Sequence, residues 1–302
     1  MKLAFLFPGQ GMQEPGMTAM LGAGSPMRLY LERTLGMDLS RPLERGGAQL
    51  ERTDVLQPTL VAASLAVMAR LTDSGIRPDV VAGHSVGEIA ALAAAGGITV
   101  EEAIELAAVR GRLMAREAAS HPGGMVALLQ ATADMAEAAI AVGARDGVVG
   151  LAAVNAPDQR VIAGEAPALQ AIASAFGGHR LPVTGAWHSR LMAGALPELV
   201  DAFNVLPIRP LHATLVVNRS GRPLGESEDL VELIAGQLVR PVQWLETLRT
   251  MVRLEITDIL TIGPGRIMRG LIRKSLGSSV RVHTTEADLG RTIDAFKRGF
   301  ND

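Results

Sequence analysis

The segment Gly83-His84-Ser85-Val86-Gly87 constrains this chain more than any other. It is a G-x-S-x-G between a short strand, Asp79–Ala82, and an alanine-rich helix running to about Ala95. A serine on such a turn sits in a tight backbone, and any side chain two residues away would clash with it. The geometry lifts the hydroxyl above the edge of a sheet. It also sets backbone N–H groups of the helix start beside a developing oxyanion. In a chain with 33 glycines the bare pattern is also compatible with a plain glycine turn capped by a serine. The strand before it and the helix after it make Ser85 a candidate nucleophile.

The elements around this turn define a fold class. Leu3–Phe7 reads as a strand, followed by the loop Pro8-Gly9-Gln10-Gly11, and a helix covers Gln57–Ser74. Thr99 and Glu102 form a capping box that starts a helix over Val100–Ala118. Between His121 and Thr184 the pattern changes. Strands at Met125–Gln130, Val148–Val154, Arg160–Ala163 and Arg180–Val183 alternate with helices at Asp134–Val142 and Ala166–Phe176. That βαββαβ order is the ferredoxin-like unit, here bracketed by Pro122-Gly123-Gly124 and Thr184-Gly185 as hinges. Strands at Thr214–Asn218, Thr257–Ile262 and Ser279–Val282 then accompany helices near Asp229–Leu238 and Val242–Arg253. Alternation of this kind implies a mainly parallel sheet flanked by helices. The expectation is an α/β protein with a large discontinuous domain, residues 1–121 and 185–302, and an inserted small α+β subdomain, residues 122–184.

Composition excludes several function classes. With 29 basic and 31 acidic residues the formal net charge is −2, which argues against nucleic acid or an anionic membrane as partner. Zero cysteines remove disulfides, thiolate nucleophiles and cysteine-bearing metal sites. The apolar start, Leu3–Phe7, is shorter than the ~7–15 residues of a secretory core. Ile89 to Val100, taken as the longest uncharged apolar-rich stretch, falls short of the ~18–20 residues of a membrane span. The expectation is a soluble, cytoplasmic protein.

A serine nucleophile needs a base, and the histidines are His84, His121, His179, His188, His212 and His283. His84 adjoins the serine and points elsewhere. His188 lies in Gly185-Ala186-Trp187-His188-Ser189, a loop at the junction of the two domains, where clefts form. His283 follows a strand, and Ser85…Asp258…His283 has the chain order of an α/β-hydrolase triad. Spacing leaves both histidines open.

Arg110 is the second unusual residue. At about 100° per residue, Glu101, Glu105, Arg112 and Arg116 share one face of their helix. Arg110 falls opposite, among Ala103, Leu106, Ala107, Leu113 and Met114. A guanidinium there snorkels to the rim, pairs with an internal glutamate, or waits as a fork for a substrate carboxylate. Two glycine loops, Phe7-Pro8-Gly9-Gln10-Gly11 and Gly263-Pro264-Gly265, fail as dinucleotide-binding fingerprints. In the first, the third glycine would fall at Glu14.

Taken in order, many short segments resemble the malonyl-CoA:acyl carrier protein transacylase family, which includes the acyltransferase domains of polyketide synthases. They are Phe7–Gly11, Gln57-Pro58, Gly83–Glu88, Val109–Met114, Gly123–Met125, Asn155–Pro157, Val161–Gly164, Gly185–Ser189, Gln237-Leu238, Pro241–Trp244 and Gly263–Gly265. The resemblance implies an α/β-hydrolase-like domain carrying a ferredoxin-like subdomain, and a malonyl transfer through a malonyl-Ser85 ester. It implies His188 as the base, oriented by the backbone carbonyl of Gln237, and an oxyanion hole from the N–H groups of Gln10 and Val86. It implies Arg110 as the carboxylate fork, with Gln57, Asn155 and His84 around the substrate. The implied substrates are a coenzyme A thioester and the phosphopantetheine thiol of an acyl carrier protein, with no cofactor and no metal. Trp187 departs from the phenylalanine usual in malonyl-selective members, which favours a small acyl pocket. Without a fused ketosynthase or carrier domain, the enzyme is expected to act in trans. Arg190, Arg266, Arg269 and Arg273 are expected to receive the acidic carrier. The competing expectations are a serine hydrolase on the same scaffold, or a scaffold that only docks a carrier.

Overall fold

The computed structural model describes residues 1–39, 52–285 and 289–299. The chain begins with β1 (Leu3–Phe7), α1 (Pro26–Leu35), α2 (Thr53–Asp73), β2 (Val80–Gly83), α3 (Gly87–Ala94) and α4 (Val100–Ser120). Next come β3 (Gly123–Leu129), α5 (Ala133–Gly143), β4 (Val149–Ala156), β5 (Gln159–Glu165), α6 (Ala166–Phe176) and β6 (His179–Arg180). The chain continues through α7 (Leu196–Asn204), β7 (Thr214–Val217), β8 (Arg222–Pro223), α8 (Leu230–Gly236) and α9 (Trp244–Arg253). It closes with β9 (Asp258–Thr261), α10 (Arg266–Leu276), β10 (Arg281–Thr284) and α11 (Leu289–Gly299).

β1 is apolar and buried at every position, the signature of a strand covered on both faces of a parallel sheet. It lies inside the order β10-β9-β1-β2-β7-β8, parallel except for the β7–β8 hairpin at one edge. The register pairs Phe7 with Gly83, so the loop after β1 and the turn after β2 leave the sheet side by side. Open parallel sheets bind ligands at this carboxyl edge.

The second sheet has the order β4-β5-β3-β6 and is antiparallel throughout, as a βαββαβ unit requires. Its strands alternate sides with period two. Val126, Leu128 and Ile162 form a small core with Leu169 and Ile172 of α6. Met125, Ala127, Ala153 and Val161 face the other way and join the main core. A parallel bridge ties this sheet to the rest: Val242 N–H donates to Ala152 O and Val154 N–H to Val242 O, both at 2.9 Å.

The structure corrects several expected boundaries. The helix expected from Val242 begins at Trp244, because both backbone groups of Val242 are engaged in that bridge. The strand expected over Arg180–Val183 is shortened to His179–Arg180, with Leu181 N–H making the last cross-strand bond, to Met125 O at 3.0 Å. Pro182 has no N–H to give, and Val183 N–H turns back to Leu181 O at 2.8 Å. Among the described residues the longest apolar helix is α2 and not the Ile89–Val100 stretch. It is long and apolar enough to cross a bilayer, yet 72% of that window is buried inside the fold. α4 starts at the expected capping box, with Thr99 and Glu102 bonded reciprocally.

Candidate active site

The turn after β2 is built around two glycines. A Cβ on Gly83 would overlap the Gly87 carbonyl, and one on Gly87 would press on the Phe7 and Pro8 carbonyls of the neighbouring strand exit. Between them Ser85 is forced to a left-handed φ of 54°, a conformation a side chain normally avoids. Asn218, just past β7, locks the turn by accepting from Ser85 N–H at 2.8 Å and donating to Gly83 O. α3 then runs away from Ser85. Among the described residues, neither the Val86 nor the Gln10 backbone N–H has a protein acceptor.

His188 meets this serine from the loop that leaves the antiparallel sheet. Its Nε2 lies 2.7 Å from Ser85 Oγ. Its φ of 58° is also left-handed, and Ser189 Oγ steadies the bend by donating to Ala186 O at 2.7 Å. His188 Nδ1 is 2.8 Å from the backbone oxygen of Gln237. A carbonyl can only accept, so Nδ1 carries the proton and Nε2 is free to take one from Ser85. α8 tightens into a 3-10 turn at Gln237–Val239, and the Gln237 carbonyl turns out toward the imidazole. Burial first, then the nearby Arg110 charge, pull His188 down to about 3. The imidazole is neutral.

Arg110 is 2% exposed on α4 and neither snorkels nor meets a carboxylate directly. Its guanidinium donates to Gln57 Oε1 at 2.6 Å, Gln237 Oε1 at 3.0 Å and Ser85 Oγ at 3.2 Å. Burial lowers it to about 10, with the charge of Glu88 acting the other way. Its three direct acceptors are neutral, so the fork keeps its charge, one hydrogen bond from the serine, and could take an anion.

A cavity of about 310 Å³ opens over Ser85 and His188, between the carboxyl edge of the parallel sheet and the face of the antiparallel one. Gln10, His84, Asn155 and Trp187 line it, and His84 Nε2 meets Asn155 Oδ1 at 2.9 Å across the two sheets. Trp187 is 4% exposed, and its ring occupies the space a Cβ on Gly185 would need. Gln57 is placed differently from the wall position the resemblance implies. It is fully buried behind Arg110, donating to Thr53 Oγ1 at 2.8 Å and Met114 Sδ at 3.1 Å.

The other histidines lie apart from Ser85. His283 does bond Asp258, at 2.9 Å, but on β10, three strands along the sheet from β2. At ~4.8 Å per strand that is about 14 Å away. His121 sits 3.7 Å from Glu117, His179 is exposed on β6, and the His212 ring packs against Gly96. Among the described residues no cluster of three or more His, Cys, Asp or Glu could hold a metal ion. Sequence reasoning missed Asn218 and did not single out Glu88 beyond its place in the motif. A polar residue ending an apolar strand was the available signal for Asn218.

This parallel sheet, with a serine elbow at its carboxyl edge, a histidine from a second sheet and a buried arginine, is the architecture of an acyltransferase. The chain belongs to the acyl transferase domain family, which matches it over residues 4–276. It is 34% identical over 285 residues to the malonyl CoA-acyl carrier protein transacylase of Bacillus subtilis, covering 90% of each chain. The crystal structure of malonyl-CoA:acyl carrier protein transacylase from Xanthomonas oryzae superposes with a TM-score of 0.89 at 33% identity, over 97% of this chain and 98% of that one. A malonyl-transacylase in complex with a type II polyketide synthase acyl-carrier protein matches with a TM-score of 0.89 at 28% identity, over 99% and 100%.

Proposed function

We propose that this enzyme moves a malonyl group from malonyl-CoA to the phosphopantetheine thiol of an acyl carrier protein through a malonyl-Ser85 ester, serving fatty acid or polyketide assembly. The observation that carries the reading is the arginine fork beside the reactive pair, with Arg110 Nη2 3.2 Å from Ser85 Oγ and His188 Nε2 2.7 Å from it. A short acyl chain on Ser85 that ends in a carboxylate meets a cation there. An acetyl group leaves the same cation buried without its anion.

In the first half-reaction Ser85 Oγ attacks the thioester carbonyl while His188 Nε2 takes its proton. The oxyanion is received by the N–H groups of Gln10 and Val86. Collapse breaks the C–S bond, and His188 returns the proton to the departing CoA thiolate. In the second half the carrier thiol gives its proton to His188 and attacks the ester. Ser85 leaves and is reprotonated. One thioester replaces another, so the exchange is nearly balanced and calls on no cofactor. The incoming carboxylate also offsets the Arg110 charge that depresses His188, so the base strengthens when the correct substrate is bound.

Trp187 lines the cavity beside His188, and on this reading it favours malonyl over branched extenders. The same reading treats residues 1–121 and 185–302 as the catalytic domain and 122–184 as its small subdomain, in a cytoplasmic enzyme. Histidine replacement tests it against a hydrolase built on Asp258 and His283. His188→Ala abolishes the malonyl-Ser85 adduct seen by intact mass, and His283→Ala leaves it. The opposite pattern would falsify the assignment. An adduct that water removes as fast as the carrier does would identify a hydrolase.

A further inference from the structure

Glu88 takes no part in the chemistry above, yet it is buried at the centre of the site, 1% exposed in the first turn of α3. Its two oxygens face two donors. Asn218 N–H reaches Oε1 at 2.6 Å, and Gln237 Nε2 reaches Oε2. Each donor belongs to a residue that holds another part of the site. Asn218 pins the Ser85 backbone. Gln237 orients His188 through its backbone oxygen and holds Arg110 through its side-chain oxygen.

We propose that Glu88 is a positioning residue: as an acceptor-only carboxylate it fixes the Gln237 amide with its oxygen toward Arg110, and so sets the fork that receives the acyl carboxylate. The inference rests on the transfer reading above.

The reason lies in donor counting. An ionised carboxylate only accepts, whereas a glutamine amide has one oxygen and two N–H groups. In the observed arrangement Gln237 Nε2 serves Glu88 and Ser85 O, the latter at 3.2 Å, which leaves Oε1 for Arg110. Turned over, the amide would set oxygen against carboxylate oxygen and N–H against guanidinium. The charge on Glu88 therefore dictates the orientation. A neutral group at position 88 presents a donor of its own to Asn218 or Gln237. Turning the Gln237 amide relieves that conflict, and Arg110 then loses its acceptor.

Protonation has the same effect as neutral replacement. Burial pushes Glu88 up to about 7, while the bonds from Asn218 and Gln237 and the charge of Arg110 act against it. Arg110, on α4, is the cation that acts on it. His188 is neutral above about 3, and burial lowers His84 as well. Above pH 7 the carboxylate is ionised and the fork is set. As the pH falls through 7 the proton binds and the fork loosens.

The experiment measures Ser85 acylation by malonyl-CoA and by acetyl-CoA, read by intact mass at pH 6, 7 and 8, in the full wild-type chain and in Glu88→Gln. The expected result is a malonyl-to-acetyl rate ratio that falls on acidification in wild type. In the variant the ratio is flat and about tenfold lower at pH 8, the worth of one charge-assisted hydrogen bond. A folded variant with the wild-type ratio overturns the proposal, and where the variant folds it decides. If Glu88→Gln has no cooperative thermal transition, the wild-type series decides alone: a falling ratio supports the proposal and a flat one overturns it. A wild-type chain that never carries malonyl sinks the transfer reading itself, which is a different result from loading without a ratio change.

Discussion

His188 sits out of water beside a guanidinium, and both surroundings oppose its protonation. With the imidazole pulled down to about 3, acylation of Ser85 by a neutral-tailed thioester should show no inflection near pH 6.5, where a free histidine titrates. A sigmoidal loss centred there would mean that His188 is solvated in the working enzyme. The same depression bears on stability. Unfolded chains bind this proton below about pH 6.5 and the folded one does not, so His188 contributes stability above that pH that is lost on acidification. Arg110→Ala should slow malonyl loading by roughly 2–5 kcal/mol of transition-state binding and shift preference toward acetyl-CoA, since it removes one partner of a buried charge pair. Parallel rates for the two thioesters in wild type and variant would make Arg110 structural. Ser85 was legible in the sequence because its glycines act within five residues. The partners that complete its site, Asn218 and the side chain of Gln237, were not. They lie far along the chain and meet Ser85 only once β7 and α8 are in place.

Elements set by strong local signals were the readable ones. β1 is uniformly apolar, α4 carries its capping box and α6 spans the expected Ala166–Phe176. α1, α7, α10 and α11 went unassigned although their apolar residues recur at helical spacing, as Leu196, Leu199, Val200 and Phe203 do on α7 and Met268, Leu271 and Ile272 on α10; each is only nine to eleven residues long, too short a window for that period to stand out. The start of α9 was misplaced for a different reason: a contact from another sheet overrides the local preference of Val242. That contact makes a test. Val242→Pro deletes the N–H that Ala152 O accepts at 2.9 Å. The loss should destabilise the fold by about 1–3 kcal/mol in denaturant unfolding. Because β4 carries Asn155, the variant should also load malonyl more slowly. An unchanged midpoint would mean that packing alone holds the two sheets together.

For the molecule as a whole, charge is the informative scale. The net charge is −2 and lysine is rare, so arginine must supply any surface that attracts an acidic carrier. α10 borders the cavity through Ile267 and Leu271 and exposes Arg266 and Arg273 outward. Arg269 is half-buried on the same helix, and Arg190 is exposed beside the His188 loop. Transfer from malonyl-Ser85 to an acyl carrier protein should weaken as ionic strength rises. The double replacement Arg266→Glu/Arg273→Glu should slow transfer to the carrier while leaving loading from malonyl-CoA intact. A carrier step insensitive to salt and to this charge reversal would place the docking face elsewhere.

The 2.7 Å hydrogen bond beneath the cavity joins two residues that each hold a backbone angle suited to glycine, Ser85 at 54° and His188 at 58°. Each such angle carries a conformational penalty of roughly 1 kcal/mol that a glycine would relieve. A library of this protein sorted purely for heat resistance should therefore drift toward glycine at both positions and become inert as it toughens. Only selection for turnover keeps that pair under tension.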